Sequence, residues 1–465
     1  MDERPSGTPF PAGFGWGTST ASYQIEGAVD VDGRGPSIWD TFSHTPGRIK
    51  DGTTGDRACD HYHRWEEDVA LMAELGAPYY RFSLAWPRLQ PGAAGGLNDK
   101  GVDFYKRLVD AMRDKGVTPW VTAYHWDLPQ ELEDAGGWPE RDTAYRFADY
   151  AELAYGALGD HIDIWTTLNE PLCAAHLGYA DGEHAPGRQE PANAIRAAHH
   201  LNLGHGLALQ RWQDSRREGH RFGVTLNVVP AVAATDSPAD VDAARRVDAV
   251  TNRIFLDPML TGSYPADLIE DLAPLMDFSH VIDGDLEIIH QPLDDLGINY
   301  YQQGIITGPG PDAPDRFRAG VMAVGAGDTG RSDQGLPVTD RGWEIDPDGM
   351  VALLHRITDD YDAPPLWITE NGSSWFEEPG EDGVVHDDRR IAYLDQHVRA
   401  VKRALDEGID LRGYFVWSLM DNFEWAYGES SRFGLIHVDY DTQVRTPKDS
   451  FHWFKDVIAR AGLAS

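Results

Sequence analysis

The sequence predicts an α/β fold, a single (β/α)8 TIM barrel with its site at the C-terminal ends of the strands. Three observations carry that reading. Eight short runs rich in β-branched and aromatic residues are spread along all 465 residues. Amphipathic helical segments separate them, and no glycine-rich phosphate loop follows the first run, as a doubly wound sheet would require. Length alone would allow two or three domains, but the alternation has no break, so 1–465 reads as one domain.

Taken in order, the strand runs are 13–18, 79–84, 118–124, 162–168, 221–228, 295–300, 366–369 and 412–417. The first contains Gly13-Phe14-Gly15-Trp16-Gly17, which is glycine-rich but lacks the G-x-G-x-x-G spacing of a dinucleotide site. Between runs, 60–75 presents Trp65, Val69 and Met72 on one helical face, and 101–115 presents Tyr105, Leu108, Val109 and Met112. The fourth run is closed by Pro171 and the seventh by Gly372. The last amphipathic helix carries Ile391, Leu394, Val398, Val401 and Leu405 before the Gly408 stop. Residues 307–340, rich in Gly, Pro and Asp, follow the sixth run and read as a substrate-shaping loop.

Composition excludes several classes. A formal charge of −36, from 40 basic against 76 acidic residues, argues against nucleic-acid, anionic-membrane or polyanionic partners. Cys59 and Cys173 are the only cysteines and read as free thiols. No stretch of 18 apolar residues occurs, and the first seven residues lack the basic-then-apolar pattern of a signal, so a cytoplasmic enzyme is the expectation. His61-Tyr62-His63 and His199-His200 lack the H-E-x-x-H spacing and read as packing or helix-surface histidines. No metal and no cofactor is expected, and oligomeric state is left open.

Two glutamates stand just past apolar runs: Glu170 in Thr167-Leu168-Asn169-Glu170-Pro171 and Glu370 in Ile368-Thr369-Glu370-Asn371-Gly372. In a parallel barrel, strand ends are where catalytic groups sit. Other ends deliver polar groups beside aromatics: Gln24, His125-Trp126, Asn299-Tyr300-Tyr301, Trp417 and Glu424-Trp425. That mixture suits a sugar, whose hydroxyls need hydrogen-bond partners and whose C–H faces pack on indole rings. Two carboxyls could then hydrolyse a glycoside, with retention when they are about 5 Å apart or inversion across a wider gap. A sugar-binding protein that has lost catalysis should have lost one of the two glutamates, and this chain keeps both.

These motifs resemble those of β-glucosidases of glycoside hydrolase family 1. The resemblance runs from Phe10-Pro11-Ala12-Gly13-Phe14 to Arg432-Phe433-Gly434-Leu435. It is carried by Tyr23-Gln24-Ile25-Glu26-Gly27, Tyr80-Arg81-Phe82-Ser83, the two glutamate segments and Asp421-Asn422-Phe423-Glu424-Trp425. It implies a retaining double displacement on terminal β-glucosyl residues of short oligosaccharides and aryl or alkyl β-glucosides. Side activity on β-galactosides and β-fucosides and transglycosylation would accompany it. By the same resemblance Glu170 is the acid/base and Glu370 the nucleophile, Arg81 and Tyr301 orient Glu370, and Asn169 meets the sugar 2-OH. His125 would bind the 3-OH, Gln24 and Glu424 the 3-, 4- and 6-hydroxyls beside Trp425, and Trp417 would be the sugar platform. Trp126, Asn299 and Phe433 complete the expected binding residues, with Trp343 on the leaving-group side. Relatives that act on 6-phosphorylated sugars carry Ser-x-Lys-x-Tyr after the eighth strand. Here Glu424, Glu429, Ser431 and Phe433 occupy that region, and a glutamate would repel the phosphate. Leu172 stands where the family often has tryptophan, which leaves two readings open: a wider leaving-group side with weaker discrimination for cellobiose, or a leucine that serves packing alone.

Overall fold

The computed structural model describes residues 9–92, 94–309, 324–327 and 334–463. Eight strands close into an all-parallel barrel: β1 (Gly15–Ser19), β2 (Tyr79–Ser83), β3 (Thr118–Tyr124), β4 (Ile164–Asn169), β5 (Arg221–Asn227), β6 (Asp295–Asn299), β7 (Leu366–Asn371) and β8 (Leu411–Trp417). Each pairs with its sequence neighbours, and β1 with β8 closes the ring. All eight expected runs are strands. β7 extends two residues beyond its expected end, because Asn371 still pairs with Val416 of β8, so Glu370 lies inside a strand end rather than past it.

Large aromatics fill the barrel floor. Trp120, Ile164, Trp367 and Phe415 form a buried cluster, with Trp120 5.0 Å from Trp367 and 5.4 Å from Phe415 between ring centroids. This explains the first glycine-rich run: a Cβ at Gly17 would meet the Phe415 ring at 2.6 Å, so the glycine makes room for an aromatic.

Outside the barrel, helix His61–Leu75 buries Val69 and Met72 and leaves Trp65 half-buried, while Asp99–Asp114 buries Tyr105, Leu108, Val109 and Met112. Each such aliphatic side chain contributes about 1.5–3 kcal/mol by leaving water. Leu108→Ala would cost roughly 2–5 kcal/mol. The helix at Asp388–Asp406 is not the last, contrary to the expectation above. Asp449–Ala459 follows β8 and sets Phe454 against Trp16 of β1, ring centroids 5.9 Å apart.

At the C-terminal ends the pairing turns irregular: between Thr166 and Asn169 on β4, between Ile298 and Asn299 on β6, and between Tyr414 and Val416 on β8. Bulges re-aim side chains, and here they fall beside Asn169, Asn299 and Glu370. Within the expected loop 307–340, residues 310–323 and 328–333 lie outside the described residues.

Candidate active site

Over the barrel mouth lies a cavity of about 380 Å³, within the range that holds small ligands. Glu170 and Glu370 line it, as do His125, Trp126, Asn299, Tyr301, Trp343, Trp417, Glu424, Trp425 and Phe433. Gln24, Arg81 and Asn169 are buried beside these residues and hydrogen-bonded to them. Trp126, Glu170 and Trp425 adopt left-handed φ of +77°, +45° and +49°. Such conformations are costly for non-glycine residues and collect at functional sites.

Arg81 ties the two halves together. Its Nη1 donates to Glu370 Oε1 at 2.7 Å and its Nη2 to Asn169 Oδ1 at 2.6 Å. Tyr301 Oη donates to Glu370 Oε2 at 2.8 Å, so each oxygen of that carboxyl has a donor. Asn299 Nδ2 donates to Glu170 Oε1 at 2.6 Å and to Asn169 Oδ1 at 3.1 Å, and Thr369 Oγ1 fixes Asn299 by donating to its Oδ1. With Asn169 Oδ1 taken by two donors, its Nδ2 faces His125 Nε2 at 3.0 Å. The ring proton of His125 then sits on Nδ1, a buried atom without a partner.

Gln24 Nε2 donates to Asn422 Oδ1 at 2.9 Å and Glu424 Oε2 at 3.2 Å, leaving its Oε1 buried and unpartnered. His125 lies near-parallel to two indoles, its ring centroid 6.0 Å from that of Trp417 and 5.7 Å from that of Trp425. Orphaned donors and acceptors among aromatic faces describe a site for a polyhydroxylated ring.

The carboxyl groups differ in their electrostatics. Burial raises Glu170 to about 8, and the charge of Glu370 adds to the rise against the opposing pull of Asn299, Cys173 and Arg81. Burial also raises Glu370, but Arg81, Tyr301 and Asn299 all favour its ionised form. The shared proton therefore belongs on Glu170. Burial raises Glu424 to about 7, opposed by Arg341 and Gln24.

Two carboxylates in motif positions serve the scaffold instead. Glu26 pairs with Arg88 at 2.8 Å and accepts from Tyr105 Oη at 2.6 Å. Asp421 accepts from Lys448 Nζ at 2.9 Å and Arg432 Nη1 at 3.1 Å, which anchors the segment carrying Glu424 and Trp425. Leu172 does not face the cavity: it packs in the core, and the lining residue is its neighbour Cys173. Of the two readings of Leu172, the packing role holds and the widened leaving-group side does not.

Sequence reasoning missed Cys173, Leu177, Glu183, His184, Asn227, Val229, Gln302, Arg341 and Tyr427, all of which line the cavity. Asn227 ends β5 and was within reach of the strand-end rule. Cys173 Sγ donates to Glu170 Oε2 at 3.2 Å, three residues along the chain. The histidine pairs are used in packing: His61 contacts Asp68 at 2.8 Å, and both ring nitrogens of His199 are taken, by Tyr264 and Asp285. Among the described residues no group of three metal-ligating side chains converges, and no helix is long and apolar enough to cross a membrane.

A parallel barrel whose mouth holds two buried, electrostatically split carboxyls among sugar-compatible aromatics has the build of a glycoside hydrolase. The family description "Glycosyl hydrolase family 1" matches residues 6–463, and the chain belongs to that family. It is 50% identical to the bifunctional β-D-glucosidase/β-D-fucosidase of Bifidobacterium breve over 97% of this chain and 98% of that one. It is 43% identical to β-glucosidase A of Thermotoga maritima over 98% of each. The crystal structure of the psychrophilic β-glucosidase from Micrococcus antarcticus superposes with a TM-score of 0.92 at 47% identity, covering 98% of both chains.

Proposed function

We propose that the chain is a retaining β-glucosidase that removes terminal non-reducing β-D-glucosyl residues from cello-oligosaccharides and from aryl and alkyl β-glucosides. Glu370 is the nucleophile and Glu170 the acid/base. The observation that carries the assignment is the electrostatic split of the pair: Arg81 and Tyr301 each donate to a Glu370 oxygen, while burial and the Glu370 charge raise Glu170 to about 8. Membership of glycosyl hydrolase family 1 supports retention over inversion.

In the first step Glu370 attacks the anomeric carbon as the glycosidic bond breaks, and the Glu170 proton passes to the leaving oxygen. The ester that forms has no negative charge, which removes one of the causes of the raised pKa at Glu170. Now a carboxylate, Glu170 takes a proton from water, the oxygen attacks the anomeric carbon, and Glu370 leaves as the carboxylate. An alcohol in place of water gives transglycosylation. Asn169 positions its neighbours and the 2-OH, His125 Nδ1–H and Gln24 Oε1 meet sugar hydroxyls with Glu424, and Trp417 and Trp425 hold the ring. The name of the Bifidobacterium relative supports β-fucosidase side activity. Two buried free thiols fit a reducing, cytoplasmic location.

Azide separates the roles. Glu370→Ala with an activated aryl glucoside should yield α-glucosyl azide, since azide enters where the nucleophile stood. Glu170→Ala should yield β-glucosyl azide, since azide captures the glycosyl-enzyme from the opposite face. Exchange of these products would overturn the assignment.

A further inference from the structure

Arg341 lines the cavity on the loop leading to Trp343. Its guanidinium carbon lies 3.3 Å from the Tyr427 ring centroid and 4.9 Å from that of Trp343. Stacking holds the group in place while leaving the edge of its donor fork open. Nη1 is buried and has no hydrogen-bond partner. No ion pair joins Arg341 to a described carboxylate, whereas the buried guanidiniums of Arg81, Arg88, Arg390 and Arg445 each have one within 2.9 Å. Arg341 is the one arginine among the cavity's described lining residues. Its charge reaches across the cavity: it opposes the rise at Glu424 and adds to the lowering that burial imposes on His184.

An unpartnered buried donor is costly until a ligand satisfies it, and a guanidinium fork matches a carboxylate. Glu424, bonded to Gln24 at the sugar end, would repel an anion carried on the glycone. An anion on the leaving group would avoid it. We propose that Arg341 makes the outer part of the cavity a subsite for aglycones that carry a carboxylate, with Trp343 packing on the aglycone ring and Arg341 binding its acid group. The preferred substrates are then β-glucosides of aromatic acids. This rests on the β-glucosidase reading.

The test compares 4-carboxyphenyl with 4-carbamoylphenyl β-D-glucoside, two leaving groups of the same shape, in the parent, Arg341→Gln and Arg341→Lys. Taking the ratio of variant to parent for each substrate cancels leaving-group chemistry. The carboxylate should be favoured about tenfold in kcat/KM, mostly through KM because its contact is equal in ground and transition states. That preference should shrink in about 0.5 M salt, which needs no variant to observe. It should vanish in Arg341→Gln and survive in part in Arg341→Lys, which keeps charge but not the fork. A variant-to-parent ratio in Arg341→Gln that is the same for both substrates overturns the proposal. So does an aryl 6-phospho-β-glucoside that outcompetes both and loses its advantage in Arg341→Gln, because the anion would then sit on the sugar. Failure to hydrolyse either glucoside would instead sink the β-glucosidase reading, and the subsite with it.

Discussion

Replacing Tyr301 by phenylalanine removes one hydroxyl and little else. The ring keeps its packing 5.4 Å from Trp343 and 6.3 Å from Phe433 between centroids, while Glu370 Oε2 loses its 2.8 Å donor. Arg81 still holds Oε1. A hydrogen bond to a charged acceptor is worth about 1.5–3 kcal/mol. At about 1.4 kcal/mol per pKa unit, the Glu370 carboxyl should climb by roughly 1–2 units. Attack requires the ionised form, so the acid limb of kcat/KM should move to higher pH by that amount. The alkaline limb belongs to Glu170, which Tyr301 does not bond, and should stay. Initial rates on an aryl β-glucoside at low substrate concentration, taken across the pH range, read both limbs of the free enzyme. An unmoved acid limb, or movement of the alkaline limb alone, would refute the assignment of Glu370 as the ionised partner.

Glu170→Gln should erase the alkaline limb near 8 and lower kcat/KM on alkyl glucosides by roughly 10²–10⁴, with less loss on activated aryl glucosides. The same variant should be more stable than the parent at alkaline pH. The folded-state value of Glu170 lies above its ordinary 4.5, so the folded chain binds the extra proton between the two values, and that stabilisation is lost as pH rises through about 8. Urea unfolding should therefore show an advantage of a few kcal/mol for Glu170→Gln at about pH 9, closing below about pH 5. Cys173→Ala deletes a thiol donor to Glu170 Oε2 and should raise the alkaline limb by about half a unit; a downward shift would contradict that contact. Leu172→Trp should overpack the core and cost about 1–3 kcal/mol in thermal unfolding, with an unchanged ratio of cellobiose to aryl-glucoside hydrolysis.

The barrel was legible because strands buried on both faces must be written in apolar, β-branched and aromatic residues, and turn residues punctuate them. The helix Asp449–Ala459 carries Phe451, Phe454 and Val457 at helical spacing, but it lies beyond the eighth strand, where no following strand run marks it as part of the barrel's alternation. Site residues at strand ends, such as Asn299 and Glu370, could be placed because barrel geometry puts every strand end at one rim, whereas Arg81, in the middle of β2, was reached only through the family resemblance. Loop residues could not. Whether Arg341 or His184 turns inward is set by the path of its loop, which leaves no periodic trace. Motifs also mislead in one direction: Glu26 and Asp421 travel with functional neighbours, yet both are consumed by buried ion pairs that hold those neighbours in place.

The stereochemistry of the first product tests the central claim most directly. Proton NMR of the anomeric region during hydrolysis of an aryl β-glucoside should show β-glucose first, with the α anomer growing in only by mutarotation, and Glu370→Ala should release neither. If α-glucose appears first, water attacks directly, the enzyme inverts, and Glu370 is not the nucleophile.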